Sequence, residues 1–209
     1  MTGEHYFTET PASAAKPREV VFTIAGRAYP MAASTGVFSA DRLDPGTAVL
    51  LRKAPLPGEQ TTGTLLDLGC GWGPITAVRA THAPHARVVG VDVNARAREL
   101  ARRNAETLGL AQRVRVAAPD EVAGDQLFDQ IWSNPPIHIG KAELHDLLRR
   151  WLSQLAPAGV AWLVVGKNLG GDSLQAWLNA QGWVAEKWAS QKGFRVLRVT
   201  WPGFPGDPR

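Results

Sequence analysis

Short apolar runs that end in a polar turn recur along this chain, most of them followed by a segment with helical periodicity. The runs are 64–68 (Thr-Leu-Leu-Asp-Leu), 87–93 (Arg-Val-Val-Gly-Val-Asp-Val), 113–117, 128–133 and 159–165. Helices are predicted at 74–82, 94–108, 141–156 and 171–181. The third carries apolar residues at 144, 147, 148, 151, 152 and 155, the stripe of a helix packed on one face. The unbroken Val-Ala-Trp-Leu-Val-Val within 159–165 indicates a strand buried on both faces. Strand–helix alternation of this kind specifies a doubly wound parallel sheet. Two closing strands, 183–189 and 194–201, form a hairpin around Gln191-Lys192-Gly193. The expected fold is therefore α/β, with seven strands, mostly parallel, and an antiparallel last strand.

The N-terminal part reads differently. Residues 1–17 are polar, contain Pro11 and Pro17, and are expected to be a flexible arm. Residues 19–33 alternate around Ala25-Gly26 as a short hairpin. A short helix is predicted to start at Asp44-Pro45, an acidic cap followed by proline in the first turn. The chain thus divides into an arm (1–17), a hairpin-and-helix segment (18–60) and the sheet domain (61–209). With 209 residues, 44% of them hydrophobic and 20% charged, it can build one sizeable core. The single cysteine, Cys70, excludes an internal disulfide and suits a reducing cytoplasm. No apolar run reaches the roughly 18 residues of a membrane span, and the first residues lack a signal-peptide pattern. The net charge of +4 is compatible with a polyanionic partner or with an ordinary basic surface.

Two strand ends carry the chemistry. After the first strand comes Gly69-Cys70-Gly71-Trp72-Gly73. Glycine permits a positive φ and removes the Cβ that would hold a ligand away. The helix that follows aims free N–H groups at the same place. Dinucleotide folds use Gly-x-Gly-x-x-Gly, but position 74 is proline here. Asp67, just before the turn, suits the ammonium of an amino-acid moiety. Asp92, at the end of the second strand, is placed to accept from two ribose hydroxyls. Asp120, after the third, either accepts from an adenine amino group or caps a short turn. The fourth strand ends in Ser133-Asn134-Pro135-Pro136-Ile137-His138-Ile139-Gly140. The Asn134 side-chain oxygen and the Pro135 carbonyl are two acceptors suited to holding an amine. The prolines stiffen the turn and add no competing N–H. The five histidines lack ligand spacing and one thiol makes no cluster, so no metal is expected.

Asp-Leu-Gly-Cys-Gly-Trp-Gly-Pro, Val-Asp-Val-Asn and Ser-Asn-Pro-Pro-Ile-His-Ile-Gly-Lys resemble the class I S-adenosylmethionine-dependent methyltransferases of the "methyltransferase small" group. Within it the chain is most similar to bacterial small-subunit ribosomal RNA guanine-N2 methyltransferases, over about residues 18–200. The resemblance implies a Rossmann-like methyltransferase sheet and S-adenosyl-L-methionine as cofactor. Ribosomal RNA, or a ribosomal particle, is the implied partner. Asp67, Gly69, Cys70, Gly71, Gly73, Asp92, Val93 and Asp120 are the implied cofactor residues. Asn134 and Pro135 are the implied catalytic pair, with Pro136, Ile137, His138 and Phe38 on the substrate side. Gly-Val-Phe-Ser (36–39) and Asp-Pro-Gly-Thr (44–47) imply that the N-terminal segment covers the cofactor. Many members carry a second, degenerate domain that grips RNA; in its place this chain has a short arm and hairpin. RNA is then expected to meet Arg18, Arg27, Lys141, Lys192 and Arg195. Ile137 departs from the tyrosine or phenylalanine of related amino-methyltransferases and offers no π-stacking. Three other readings stay open: methylation of protein glutamine or a small amine, a non-catalytic cofactor-binding module, and a nicotinamide dehydrogenase.

Overall fold

The computed structural model describes residues 16–136, 139–167 and 170–204. It opens with a two-stranded antiparallel hairpin, β1 (Pro17–Ile24) and β2 (Arg27–Ser34), followed by helix α1 (Pro45–Lys53). Then come β3 (Thr64–Leu68), α2 (Pro74–His82), β4 (Arg87–Val91), α3 (Ala95–Thr107), β5 (Val114–Ala117) and β6 (Phe128–Ser133). The chain closes with α4 (Lys141–Leu152), β7 (Leu155–Gly166), α5 (Gly171–Ala180), β8 (Val184–Gln191) and β9 (Phe194–Thr200). The strand order of the main sheet is β5-β4-β3-β6-β7-β9-β8. The first five run parallel, and β9 lies antiparallel between β7 and β8. This is the seven-stranded, mostly parallel sheet expected from the sequence.

Alternation along each strand builds two cores. Leu65, Val88, Trp132, Trp162 and Val164 face one side, packed with residues of α1, α2 and the hairpin. Leu66, Leu68, Ile131, Leu163 and Val165 face the other, packed with Leu148 and Trp151 of α4 and Leu174 and Leu178 of α5. Residues 161–165 are buried on both faces because helices lie on both sides of β7. Both hairpins turn through a non-glycine residue at positive φ followed by glycine: Ala25 (48°) and Gly26 (77°), then Lys192 (49°) and Gly193 (78°). Paired positive φ matches the right-handed twist of the flanking strands.

Several boundaries differ from expectation. The helix predicted to run to 156 ends at Leu152, and β7 begins at Leu155, four residues before the predicted strand. Leu155 fits the helical stripe but pairs instead with Phe128, whose N–H donates to the Gln154 carbonyl. The buried Gln154 amide donates to the carbonyls of Ala123 and Gln126, fixing the reversal of the chain there. The strand predicted as 87–93 ends at Val91, because Asn94 caps α3 by accepting from the N–H groups of Arg96 and Ala97.

Besides this apolar packing, a polar side chain ties the hairpin to the sheet domain. The buried Asn104 of α3 accepts from the Ala32 N–H (2.7 Å) and donates to the Ala32 and Trp72 carbonyls (both 2.8 Å). Beneath the sheet's central turn lie two buried charged side chains. Asp67 is fully buried; its Oδ2 accepts from the Thr76 N–H and hydroxyl, while Oδ1 has no partner. Arg79, also fully buried, donates to the Leu66 carbonyl and to Gln130 and lies 5.0 Å from the centre of the Trp132 ring. Burial pushes the Asp67 carboxyl up to about 6, against the opposing pull of Thr76 and Arg79.

Asn104→Ala is expected to destabilise the fold by about 2–3 kcal/mol, since it strands three backbone groups. Urea unfolding checks this, and a loss below roughly 0.5 kcal/mol would show that water replaces those bonds. The raised Asp67 value also has a sign. Folding favours the protonated carboxyl, so its contribution is complete below the ordinary 3.8 and is lost as pH rises through about 6. Asp67→Asn is expected to flatten the fall in unfolding free energy between pH 4 and 6. Equal slopes in the two proteins would mean that Asp67 does not titrate there.

Candidate functional site

The sheet reverses its winding between β3 and β6, the place where open α/β sheets open a crevice beyond their strand ends. Register decides what meets there. Leu68 pairs with Ser133, so Gly69 and Asn134, the next residues, leave the sheet side by side. The Ser133 hydroxyl donates to the Leu68 carbonyl (2.8 Å) and locks that register. Both turns open into one cavity of about 330 Å³, mostly apolar, within the range of small-ligand sites.

Gly69 (φ 74°) and Gly71 (φ 56°) line this cavity, and a Cβ on either would meet no atom within 4 Å. The turn therefore offers bare backbone to a ligand. Gly73 (φ 90°) has another duty: a Cβ there would sit 3.2 Å from Ala101, so this glycine lets α2 approach α3. Cys70 lines the cavity but is buried, and burial pushes its thiol well above the usual range, which leaves it unreactive.

Asp92 forms the adjoining wall. Its Oδ2 accepts from the Gly71 N–H (2.9 Å) and its Oδ1 from the Asn94 N–H (2.8 Å). With the Val93 N–H as a third donor, the carboxylate still has acceptor capacity for a ligand hydroxyl. Burial raises its carboxyl, moderated by these N–H donors and by Arg98. Val93 stands beside it, 40% exposed. The loop between β2 and α1 folds over this corner. The Asn94 amide donates to the Gly36 carbonyl and Arg96 to that of Thr35, which holds Val37, Phe38 and Ser39 on the cavity wall.

On the Asn134 side, Pro135 and Pro136 line the cavity. The Asn134 amide nitrogen donates to Asp44 Oδ1 (2.7 Å) and to Thr47 Oγ1 (3.1 Å). Asp44 Oδ1 also accepts from the Thr47 N–H (2.8 Å), capping α1 as the sequence predicted. Gly46 must be small, because a Cβ there would lie 3.0 Å from both Asp44 Oδ1 and the Phe194 ring.

Besides Gly73, two expected cofactor residues are absent from the cavity wall. Asp67 lies behind the turn, holding Thr76, and is not on the cavity wall. Asp120 sits in a single 3-10 turn (Pro119–Glu121), where Pro119 rather than Asp120 reaches the wall. Ile137 and His138 fall outside the described residues. Among the expected RNA contacts, Arg18 pairs with Asp41 and Arg195 with Asp172, while Arg27 lies 5.8 Å from the centre of the Tyr29 ring. Lys141 and Lys192 are exposed. Sequence reasoning missed the wall residues Asp44, Thr47, Leu147, Trp151 and Phe194. Asp44 and Thr47 carried a signal, a cap-and-helix start in a motif already singled out; the others looked like core. Among the described residues no cluster could hold a metal, and no helix is long and apolar enough to cross a membrane.

Known proteins resemble this chain in sequence and fold. The family model "Methyltransferase small domain" matches residues 28–198. The "Uncharacterized protein YbxB" of Bacillus subtilis (strain 168) is 32% identical over 173 residues, 81% of this chain and 85% of that protein. "Ribosomal RNA small subunit methyltransferase C" of Alcanivorax borkumensis is 34% identical over 145 residues, 64% of this chain but only 42% of that protein. The chain therefore spans less than half the length of that named relative. Among solved structures, the T. thermophilus 16S rRNA N2 G methyltransferase (RsmC), in complex with AdoMet and guanosine, superposes with a TM-score of 0.71 at 24% identity. That match covers 91% of this chain and 52% of the other. With a family model that matches residues 28–198, most of the chain, this chain belongs to the methyltransferase small domain family.

Proposed function

We propose that the chain is an S-adenosylmethionine-dependent methyltransferase acting on an exocyclic amine, and that the amine is N2 of a guanine in ribosomal RNA. One observation carries the reading: strand register brings the bare glycine turn and the Asn134-Pro135-Pro136 turn to the same cavity. The residues present fit the cofactor. Gly69 and Gly71 leave room for it, and Asp92 keeps acceptor capacity for ribose hydroxyls. The relatives named as ribosomal RNA methyltransferases, and the neighbour solved with AdoMet and guanosine, support the same substrate class.

When bound, the cofactor supplies an electrophilic methyl group. The chain's own part is positioning. An exocyclic amine is a weak nucleophile because its lone pair is delocalised into the ring. Asn134 Oδ1 and the Pro135 carbonyl each accept one of its N–H bonds, which turns the lone pair toward the cofactor side of the cavity. Such alignment can contribute several kcal/mol out of a ceiling of about 7–11. The apolar wall, with Phe194 and Trp151, excludes water and strengthens those bonds. No strong base is needed, since the nitrogen becomes acidic only as it gains its new bond. Lys192, and Lys167 whose N–H donates to the Gly193 carbonyl, are exposed beside Phe194 and suit RNA phosphates. A guanine inside a duplex must be flipped out, at a cost of a few kcal/mol. The cytoplasm, where ribosomal RNA is accessible, is the fitting compartment.

The deciding experiment incubates the protein and radiolabelled S-adenosylmethionine with free RNA, each ribosomal subunit and total protein, then digests whatever becomes labelled. N2-methylguanosine is expected; label in glutamine or in no acceptor would overturn the reading. Asn134→Ala is expected to lower turnover by orders of magnitude while cofactor affinity stays within several-fold. Unchanged turnover would remove Asn134 from the chemistry. Asp92→Ala is expected to weaken the cofactor by about 1–3 kcal/mol in calorimetry, the usual cost of unpairing buried polar groups. Undiminished affinity would place the ribose elsewhere.

A further inference from the structure

The Asn134 carboxamide can help catalysis only in one of its two orientations. Rotated by half a turn, it presents N–H groups to the cavity, and these repel an amine's N–H bonds. Nothing on β6 itself selects between the two. The selection comes from α1, some ninety residues earlier in the chain. Asp44 Oδ1 lies 2.7 Å and Thr47 Oγ1 3.1 Å from the Asn134 amide nitrogen, so both of its hydrogens have acceptors. A carboxylate accepts and cannot donate, so only the NH₂ end can face Asp44. The Oδ1 end of Asn134, for which the described residues supply no donor, is left as a free acceptor on a residue that lines the cavity.

From this juxtaposition we propose that Asp44 and Thr47 are positioning residues: together they fix the Asn134 carboxamide with its oxygen toward the substrate amine. The proposal rests on the methyltransferase reading for its catalytic consequence, but its structural content does not. Asp44 has two tasks at once, capping α1 through the Thr47 N–H and orienting Asn134 through the same oxygen. Serine at 44 keeps the first, since serine is a good helix cap, and is too short for the second. At 47, valine keeps the shape and loses the acceptor, whereas serine keeps the acceptor.

The test has two arms. The first needs no substrate. In the cofactor-bound protein, nitrogen-15 NMR of asparagine side chains, with the Asn134 signal assigned by its loss in Asn134→Ala, should show slowly exchanging, hydrogen-bonded amide protons. These should become fast-exchanging in Thr47→Val and Asp44→Ser and remain slow in Thr47→Ser. The second arm measures turnover on the acceptor found by labelling. Thr47→Val and Asp44→Ser should lower kcat between about ten- and a hundredfold, the scale of a small misplacement of a reacting group. KM and cofactor affinity should stay within about threefold, and Thr47→Ser should keep nearly full kcat. In an Asn134→Ala background, Thr47→Val should change kcat no further. A fast-exchanging Asn134 amide in the unmodified protein, or unchanged kcat in Thr47→Val, would overturn the proposal. Slow exchange in a protein that labels no acceptor would refute the methyltransferase reading alone and leave the positioning role standing.

Discussion

The side-by-side pairing of β3 and β6 is the constraint on which the site depends. Strand register is quantised, because a slip of one residue turns every side chain to the opposite face. Here Leu66 and Ile131 must point to the α4–α5 side, and Leu65 and Trp132 to the other. Two dry cores thus enforce the same alignment, and the Ser133 hydroxyl secures its last rung. Two loops distant in sequence then emerge next to each other with no need for a contact of their own.

Hydrophobic pattern made most of this legible in advance. Runs such as 64–68 and 128–133 can be strands in few other ways, and the glycines and prolines after them mark where each must stop. What the pattern misjudged was local. Leu155 suited a helix and a strand equally well, and the tie was broken by Gln154, whose role depends on carbonyls some thirty residues away. Asp67 had the right residue type and spacing for a ligand contact. Its side chain points under the turn because Thr76, at the start of α2, offers it two donors. Periodicity identifies a strand end but does not say to which face its last polar side chain turns.

The N-terminal segment was the hardest part to place. Its hairpin and helix were visible from Ala25-Gly26 and Asp44-Pro45, but their docking was not. Beyond apolar packing, that docking uses polar side chains meeting backbone: Asn94 with Gly36, Arg96 with Thr35, Asn104 with Ala32. Such pairs leave no periodic trace, because one partner is a peptide group that any residue supplies. Arg79 is a related case. An arginine within an apolar helix face indicates a buried acceptor, yet only the fold shows that Leu66 and Gln130 provide it.

The bond pair between Asn104 and Ala32 has an implication for solubility. A two-stranded ribbon has two open margins, and each is a template on which another chain can add a strand. At Ala32 both main-chain groups on β2's outer margin are already taken by a side-chain amide that mimics a peptide unit. A neighbouring molecule therefore finds that rung of the ladder filled, and the ribbon is blunted against edge-to-edge aggregation on the side where it meets the rest of the protein.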